Sequence, residues 1–408
     1  MKMNKKILAL LGTGHAMTDI NQGALPMMLA FLQPVFALSQ LQVGMVMMAF
    51  NLSSSVIQPV FGILSDRFRA AWLIPLGCLL AGAGMALTGF SISYPVLLLV
   101  SLVSGLGVAA YHPEGSKYAR LASGTRKATG MSMFSVGGNL GFAAGPVLAT
   151  FFFGLAGLQG SAGFLALNGI MALLLWLSLS SITANPVGAV DKTASQVKGG
   201  AAKNSPIVNP TQKASTGRAW FVLPMALLVT VVIMRSFVHF GLVTFLPQYY
   251  VHYLQHSEKY AAAITSIFLF AGVFGTIVGG PAADRWGLKS VITASMASLI
   301  PMLYLFVHLG GAWTTIIVAL MGFAVISTFA VTVVLGQEMM PNNVGLASGL
   351  MLGFGIGMGG VGATLLGWVA DKWGLPAVFE TMIIFPVIGL LLALLLPGRE
   401  ELAKRQQA

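Results

Sequence analysis

Apolar residues in this chain come in runs of about 20, separated by short polar turns, and few polar residues fall inside the runs. An α-helix of that length matches the hydrocarbon core of a bilayer. The pattern predicts twelve transmembrane helices, over about 7–34, 41–64, 71–91, 95–116, 128–153, 158–182, 219–249, 260–283, 289–309, 312–337, 344–370 and 376–397. The first and seventh runs are long and are expected to tilt. Most connections are very short, as between antiparallel neighbours. The exception is 183–217, rich in Ala, Lys, Ser, Thr, Gly and Pro and without hydrophobic period, which reads as a flexible cytoplasmic linker. It separates an N-terminal six-helix bundle (1–182) from a C-terminal one (218–408). The expected fold class is an all-α membrane protein of two pseudo-symmetric six-helix bundles.

Composition agrees. Of 408 residues, 56% are hydrophobic and 8% charged, against about 25% charged in soluble domains. The net charge of +11 does not point to nucleic acid, because the basic residues lie in short loops between apolar runs. With both termini and the linker in the cytoplasm, the inner side holds the basic residues at both chain ends and in the linker. It also holds Arg67, Arg69, Lys117, Arg120, Arg126, Lys127, Arg285 and Lys289, and the outer side only Lys259 and Lys372. That asymmetry fixes the expected orientation. Lys2 to Ala16 resembles a signal peptide, but apolar character continues to about Phe36, so an uncleaved first span is expected. Cys78 is the single cysteine, which leaves no intramolecular disulfide.

The halves repeat. Gly62-Ile-Leu-Ser-Asp66-Arg67 follows the second run and Gly280-Pro-Ala-Ala-Asp284-Arg285 follows the eighth, at an offset of 218 residues. One such turn could simply stop translocation; two at equivalent places mark an internal repeat. Repeats of this kind are usual in secondary transporters, whose sites lie near the midplane between the halves.

The ionisable residues inside the runs are the candidates for chemistry, because placing them in hydrocarbon costs at least ~2.5–3.5 kcal/mol each. His15 and Asp19 sit one turn apart on the first span, and Arg235 and His239 one turn apart on the seventh, offset by 220 residues. The fourth span carries His112-Pro113-Glu114 and the tenth ends with Gln337-Glu338. These are spans 1, 4, 7 and 10, equivalent positions in a three-helix sub-repeat, so the groups are expected to face one cavity. Glu114 and Glu338 also lie near helix ends, where solvation would explain them. Asp19, Glu114, His15 and His112 are the candidates for proton coupling: a carboxylate or imidazole in a cavity that alternates between sides can load and release a proton. Arg235 stays charged in almost any environment and is the candidate anion contact, with His239, Gln337, Glu338 and Asn139 as further substrate contacts.

Spans five and eleven are rich in glycine (Gly137-Gly138-Asn139, Gly141, Gly145-Pro146; Gly353, Gly355, Gly357, Gly359, Gly360, Gly362), as close helix packing requires. Here the chain resembles the major facilitator superfamily. Gly62-x-Leu64-x-Asp66-Arg67 is similar to its loop between the second and third helices, although Arg69 stands where the pattern has Gly. The resemblance implies a conformational latch made of Gly62, Asp66 and Arg67, echoed by Asp284 and Arg285. Gly141-x-x-x-Gly145-Pro146 is similar to the antiporter motif, with Ala149 and Thr150 replacing its last glycines. Within the superfamily, Gly14-His15 with Asp19, Gln58-Pro59-Val60, His112-Pro113-Glu114, Val136-Gly137-Gly138-Asn139 and Gln337-Glu338 resemble the bacterial fosmidomycin resistance proteins. That implies a proton-driven exporter of a drug or small organic anion in the bacterial inner membrane; the alternative is a proton-coupled importer of a small metabolite. The expected partners are a small molecule, protons and the bilayer, the expected state a monomer. No cofactor or metal is expected, and no nucleophile elbow, zinc-protease motif or nucleotide loop argues for an enzyme.

Overall fold

The computed structural model describes residues 3–58, 60–61, 70–124, 126–184, 217–340 and 344–398. Among them there is no strand. Gly62, Asp66 and Arg67 of the expected latch, and residues 185–216 of the expected linker, lie outside the described residues.

Each predicted run holds helix. In chain order these are α1 (Lys5–Phe36), α2 (Gln40–Ser55), α3 (Leu73–Thr88), α4 (Tyr94–Ala122), α5 (Lys127–Ala156), α6 (Ala162–Leu177) and α7 (Leu179–Thr183). After the linker come α8 (Gly217–Gln248), α9 (Glu258–Trp286), α10 (Leu288–His308), α11 (Ala312–Ser327), α12 (Phe329–Met339), α13 (Val344–Trp373), α14 (Leu375–Met382) and α15 (Ile384–Leu394). Among the described residues, eight runs are long and apolar enough to cross a membrane, and one of them, Met133–Leu177, takes in two predicted spans. The outward surface suits lipid rather than water. Leu155, Leu177, Val222 and Leu395 are each more than 65% exposed, and Trp72, Trp286, Trp313 and Trp373 stand exposed at helix ends, where an interfacial belt of aromatics is expected.

Local chemistry sets the helix ends. Asn4 Oδ1 caps α1 by accepting from the Ile7 N–H at 3.2 Å. Ser39 and Gln42 form a capping box at the start of α2. The second copy of the repeated turn has its own structural reason: Gly287 takes φ of 92°, so α9 can stop at Trp286 and α10 begin at once.

Three predicted spans are each broken by one residue, at Ser178, Thr328 and Ile383. Periodicity could not show this. Near Thr328, Ser327 Oγ donates to the Ala324 carbonyl at 2.8 Å and Thr328 Oγ1 to the Val325 carbonyl at 3.2 Å, competing with the helix's own donors. Near Ile383, Pro386 cannot donate to the carbonyl four residues back.

Glycine decides how α1 meets α5. A Cβ on Gly137 would strike the Gly12 backbone, one on Gly141 the Ala16 carbonyl, and one on Gly145 the backbone around Ile20 and Ala24. Gly141 and Gly145 of the antiporter-like motif therefore form, with Gly137, one stripe of backbone contact. Across α1 and α6, Asn21 and Asn168 exchange amide hydrogen bonds at 3.2 and 3.4 Å. This is the polar glue expected between helices that have no hydrophobic drive to associate in lipid.

Candidate functional site

α4 runs unbroken through Pro113 to Ala122, farther than the predicted end at 116. Glu114 is therefore inside the bundle rather than at a wet helix end: it is fully buried. Its nearest cation is Lys117, at 3.5 Å from Oε1, and neither carboxylate oxygen has a hydrogen bond.

Two residues earlier, α4 brings His112 against α1. His15 Nε2 lies 3.1 Å from Asp19 Oδ2 and 3.1 Å from His112 Nε2, and His112 Nε2 lies 3.3 Å from Asp19 Oδ1. The other nitrogen of each ring is committed. His15 Nδ1 is 2.8 Å from the Phe134 carbonyl and His112 Nδ1 is 2.7 Å from the Val108 carbonyl. Carbonyls only accept, so each Nδ1 carries its hydrogen. A neutral ring then has a bare Nε2. Two bare Nε2 atoms 3.1 Å apart beside a carboxylate would repel; one proton on either turns the triangle attractive. The arrangement brings one acid and two imidazoles within hydrogen-bond distance of one another. Asp19 Oδ1 has no aligned hydrogen bond, so a further position stays free.

Packing holds the rings in place. His15 stacks on Phe134 with centroids 4.1 Å apart, and Tyr111 donates to the Leu11 carbonyl at 2.6 Å. Gly138 completes the wall: a Cβ there would lie 2.5 Å from His15 Cε1 and Nε2 and 2.7 Å from Asp19 Oδ2. The side chains of His15, Asp19 and His112 keep 10%, 14% and 24% of their surface accessible. They are also the one group of three such donors among the described residues to converge within 4.8 Å, the reach of a shared ion.

α8 carries the second polar pair. Arg235 is 2% exposed. Its guanidinium lies over the Phe329 ring, 5.1 Å from the centroid, and reaches Ser236 Oγ only at 3.5 Å. Its Nε has no hydrogen bond, and among the described residues it enters no ion pair. His239 is buried among the rings of Phe142, Phe240 and Phe268, with Nδ1 unpartnered. The contact with Phe142 ties α8 to α5.

The other candidates stand apart from these clusters. Gln337 is half-buried and Glu338 exposed on the last turn of α12, each engaged by a neighbour. Asn139 is half-buried beside Gly138. Asp284 and Arg285 are exposed at the end of α9, with the Arg285 guanidinium over Trp286. Sequence reasoning missed Tyr111, Phe134 and Phe329. Tyr111 adjoins His112; the two phenylalanines carry no signal that separates them from core.

Comparison with known proteins decides the family. The model of the Major Facilitator Superfamily matches residues 11–360. The chain belongs to the major facilitator superfamily. It is 30% identical over 401 residues to the fosmidomycin resistance protein of Escherichia coli, covering 97% of this chain and 94% of that one. An uncharacterized MFS-type transporter of Bacillus subtilis is also 30% identical, over 397 residues, with the same coverage. Among solved structures, a bacterial homolog of the human lysosomal transporter Spinster, in an inward-facing and occupied conformation, superposes with a TM-score of 0.77. It is 15% identical, over 98% of both chains. The D-xylose-proton symporter gives 0.69 at 17% identity, over 96% of this chain and 97% of that one. As a member of the superfamily, the chain is a multi-pass membrane protein that carries a small-molecule substrate and is not an enzyme.

Proposed function

We propose that this transporter is a proton-coupled antiporter that exports a drug or small organic anion by alternating access. His15, Asp19 and His112 form the proton site and Arg235 the anion contact. The observation that carries the reading is the convergence of two Nε2 atoms and a carboxylate whose other polar atoms are already committed. The separations are hydrogen-bond lengths, which favours a proton as the shared ion. Arg235, charged and without a carboxylate partner among the described residues, supplies what an anionic substrate would neutralise. Export, and a phosphonate-like anion, are supported by the name of the Escherichia coli relative. Glu114, buried on the same helix as His112, is a second carrier for the proton; His239, Gln337, Glu338 and Asn139 complete the substrate contacts. The reading takes the bundles as 1–182 and 218–408, joined by 183–217. It places both termini in the cytoplasm of a bacterial inner-membrane protein that works as a monomer, with Asp284 and Arg285 and their counterparts Gly62, Asp66 and Arg67 as latch.

The test is proton release from everted vesicles with an acidic lumen on adding fosmidomycin or other small anions. Release is expected from the parent and absent from Asp19→Asn. Full substrate-driven release from both Asp19→Asn and Glu114→Gln would overturn the coupling role. Proton uptake with the substrate, instead of exchange against it, would turn the reading to an importer.

A further inference from the structure

α2 and α13 lie antiparallel in close contact. A Cβ on Gly367 would meet Gln40 and Leu41, one on Gly44 the backbone of Ala363 and Thr364, one on Gly360 the Met48 Cα, and one on Gly357 the Ser55 Oγ. The α13 residues recur every three or four positions and the α2 residues every three, four or seven, so each set forms one helix face. The gap widens along the pair: the added Cβ would be 2.5 Å from Ala363 O at Gly44 but 3.1 Å from Ser55 Oγ at Gly357. The tight end is the one opposite the chain termini, since α2 begins where α1 ends and α13 ends where α14 begins.

At that end sits an acidic side chain that the transport reading does not use. Asp371 is exposed, yet both its oxygens are engaged. Oδ1 accepts from the Gln40 N–H at 2.7 Å and Oδ2 from the Leu41 N–H at 2.9 Å. These are the first two amides of α2, which have no partner within their own helix, and the positive end of the helix dipole favours a carboxylate there. Ser39 and Gln42 already satisfy the neighbouring amides through the capping box, so Asp371 supplies what the helix lacks. A second tie at the same end joins other helices: His252 Nε2 donates to the Ala30 carbonyl at 3.0 Å.

We propose that Asp371 is a latch that holds the outer end of the transporter shut by capping α2 from α13. When the bundles part at that end, the carboxylate loses both amides and the first two N–H groups of α2 lose their acceptor. The state open at that end is therefore disfavoured, and the latch biases alternating access. The word outer rests on the orientation given under Proposed function; the latch itself does not.

The test reads opening at Met48, which lies along the α2 face against α13. In a Cys78→Ala background, Met48→Cys is labelled with a membrane-impermeant maleimide in right-side-out and inverted vesicles, without substrate. Asp371→Asn removes the charge. Gln40→Pro removes one donor while leaving the carboxylate: Gln40 is the first helical residue, where proline fits, and Ser39 has ψ of 160°, which a following proline accepts. Both variants, checked as monodisperse by size exclusion, should raise the labelling rate from the right-side-out face about five- to tenfold, the scale of losing a helix cap. A rise seen only in inverted vesicles would support the latch and overturn the orientation. Rates within twofold of the parent in both variants and on both faces would overturn the latch. If Asp371→Asn does not fold, Gln40→Pro decides alone.

Discussion

Two neighbouring glycines on α5 separate the proposed proton site from the packing that supports it. At Gly138 an added methyl meets side-chain atoms, His15 Cε1 and Nε2 at 2.5 Å and Asp19 Oδ2 at 2.7 Å. At Gly141 it meets backbone, the Ala16 carbonyl of α1. Ordinary contact begins at about 3.4 Å, so Gly138→Ala must move the His15 ring or the Asp19 carboxylate by about 0.7–0.9 Å. His15 has little room: its ring stacks on Phe134 and its Nδ1 is fixed to the Phe134 carbonyl. Moving it breaks the Nε2 triangle. Overpacking of this kind typically costs ~1–3 kcal/mol, and a misplacement near 1 Å at a reacting group can lower a rate by about 10²-fold. Gly138→Ala is therefore expected to fold, with a modest loss of thermal stability in detergent, and to lose roughly 10- to 100-fold of substrate-driven proton release. Gly141→Ala is expected to do the reverse in emphasis: the helices themselves must separate, so stability falls more than coupling per folded molecule. Both are read by thermal melting and by proton release normalised to folded protein. If Gly138→Ala released protons at the parent rate while melting normally, the His15 geometry would not matter to coupling and the reasoning would fail.

Two further predictions rest on buried polar groups. Arg235→Met removes a buried cation with no ionic partner among the described residues, so the empty protein should melt no lower, and by analogy with buried charges replaced by apolar residues ~1 kcal/mol or more higher. The substrate KM should rise at least tenfold, since charge-assisted hydrogen bonds are worth ~1.5–3 kcal/mol; a clear loss of stability would mean that the guanidinium serves the fold. Asn21→Ala and Asn168→Ala should each cost ~1 kcal/mol by removing the bonds between α1 and α6, while the opposite amide keeps its own-helix carbonyls, Met17 and Thr18 for Asn21 and Phe164 for Asn168. The double variant should cost less than the two together, with a coupling of about 1 kcal/mol or more; additive losses would show that the amides act separately.

The spans were legible in the sequence because lipid imposes one strong rule, a run of apolar residues as long as the bilayer is thick. The breaks at Thr328 and Ile383 were not, since they turn on hydroxyls that take up single carbonyls and on a proline that cannot donate to one, inside runs that remain apolar. Glycine content showed that helices would pack closely but not which glycine faces what: Gly137 meets a backbone, and Gly138, one residue on, meets the charged cluster. Asp371 was invisible as a functional residue. A carboxylate at a helix end reads as solvated, and its partners are main-chain amides of α2, which leave no trace in residue identity.

The offset of 220 residues between His15–Asp19 and Arg235–His239 marks equivalent positions in the two halves, yet it hides how different they are. On α1 an acid lies between two bases, and the third member, His112, arrives from α4. On α8 the corresponding helix of the other half brings no acid to Arg235. It is α12 that approaches, with Phe329 and not Glu338 over the guanidinium, while His239 sits among aromatic rings. In the proposed coupling, one half thus offers an acid and two imidazoles as the proton carriers, the other a cation that keeps its charge. A symmetric pair of proton sites would couple nothing to an anion, and a symmetric pair of fixed cations would have no proton to exchange. The proposed exchange of a proton against an anion needs the two halves to diverge at equivalent positions, and Asp19 facing two histidines where His239 faces three phenylalanines fits that need.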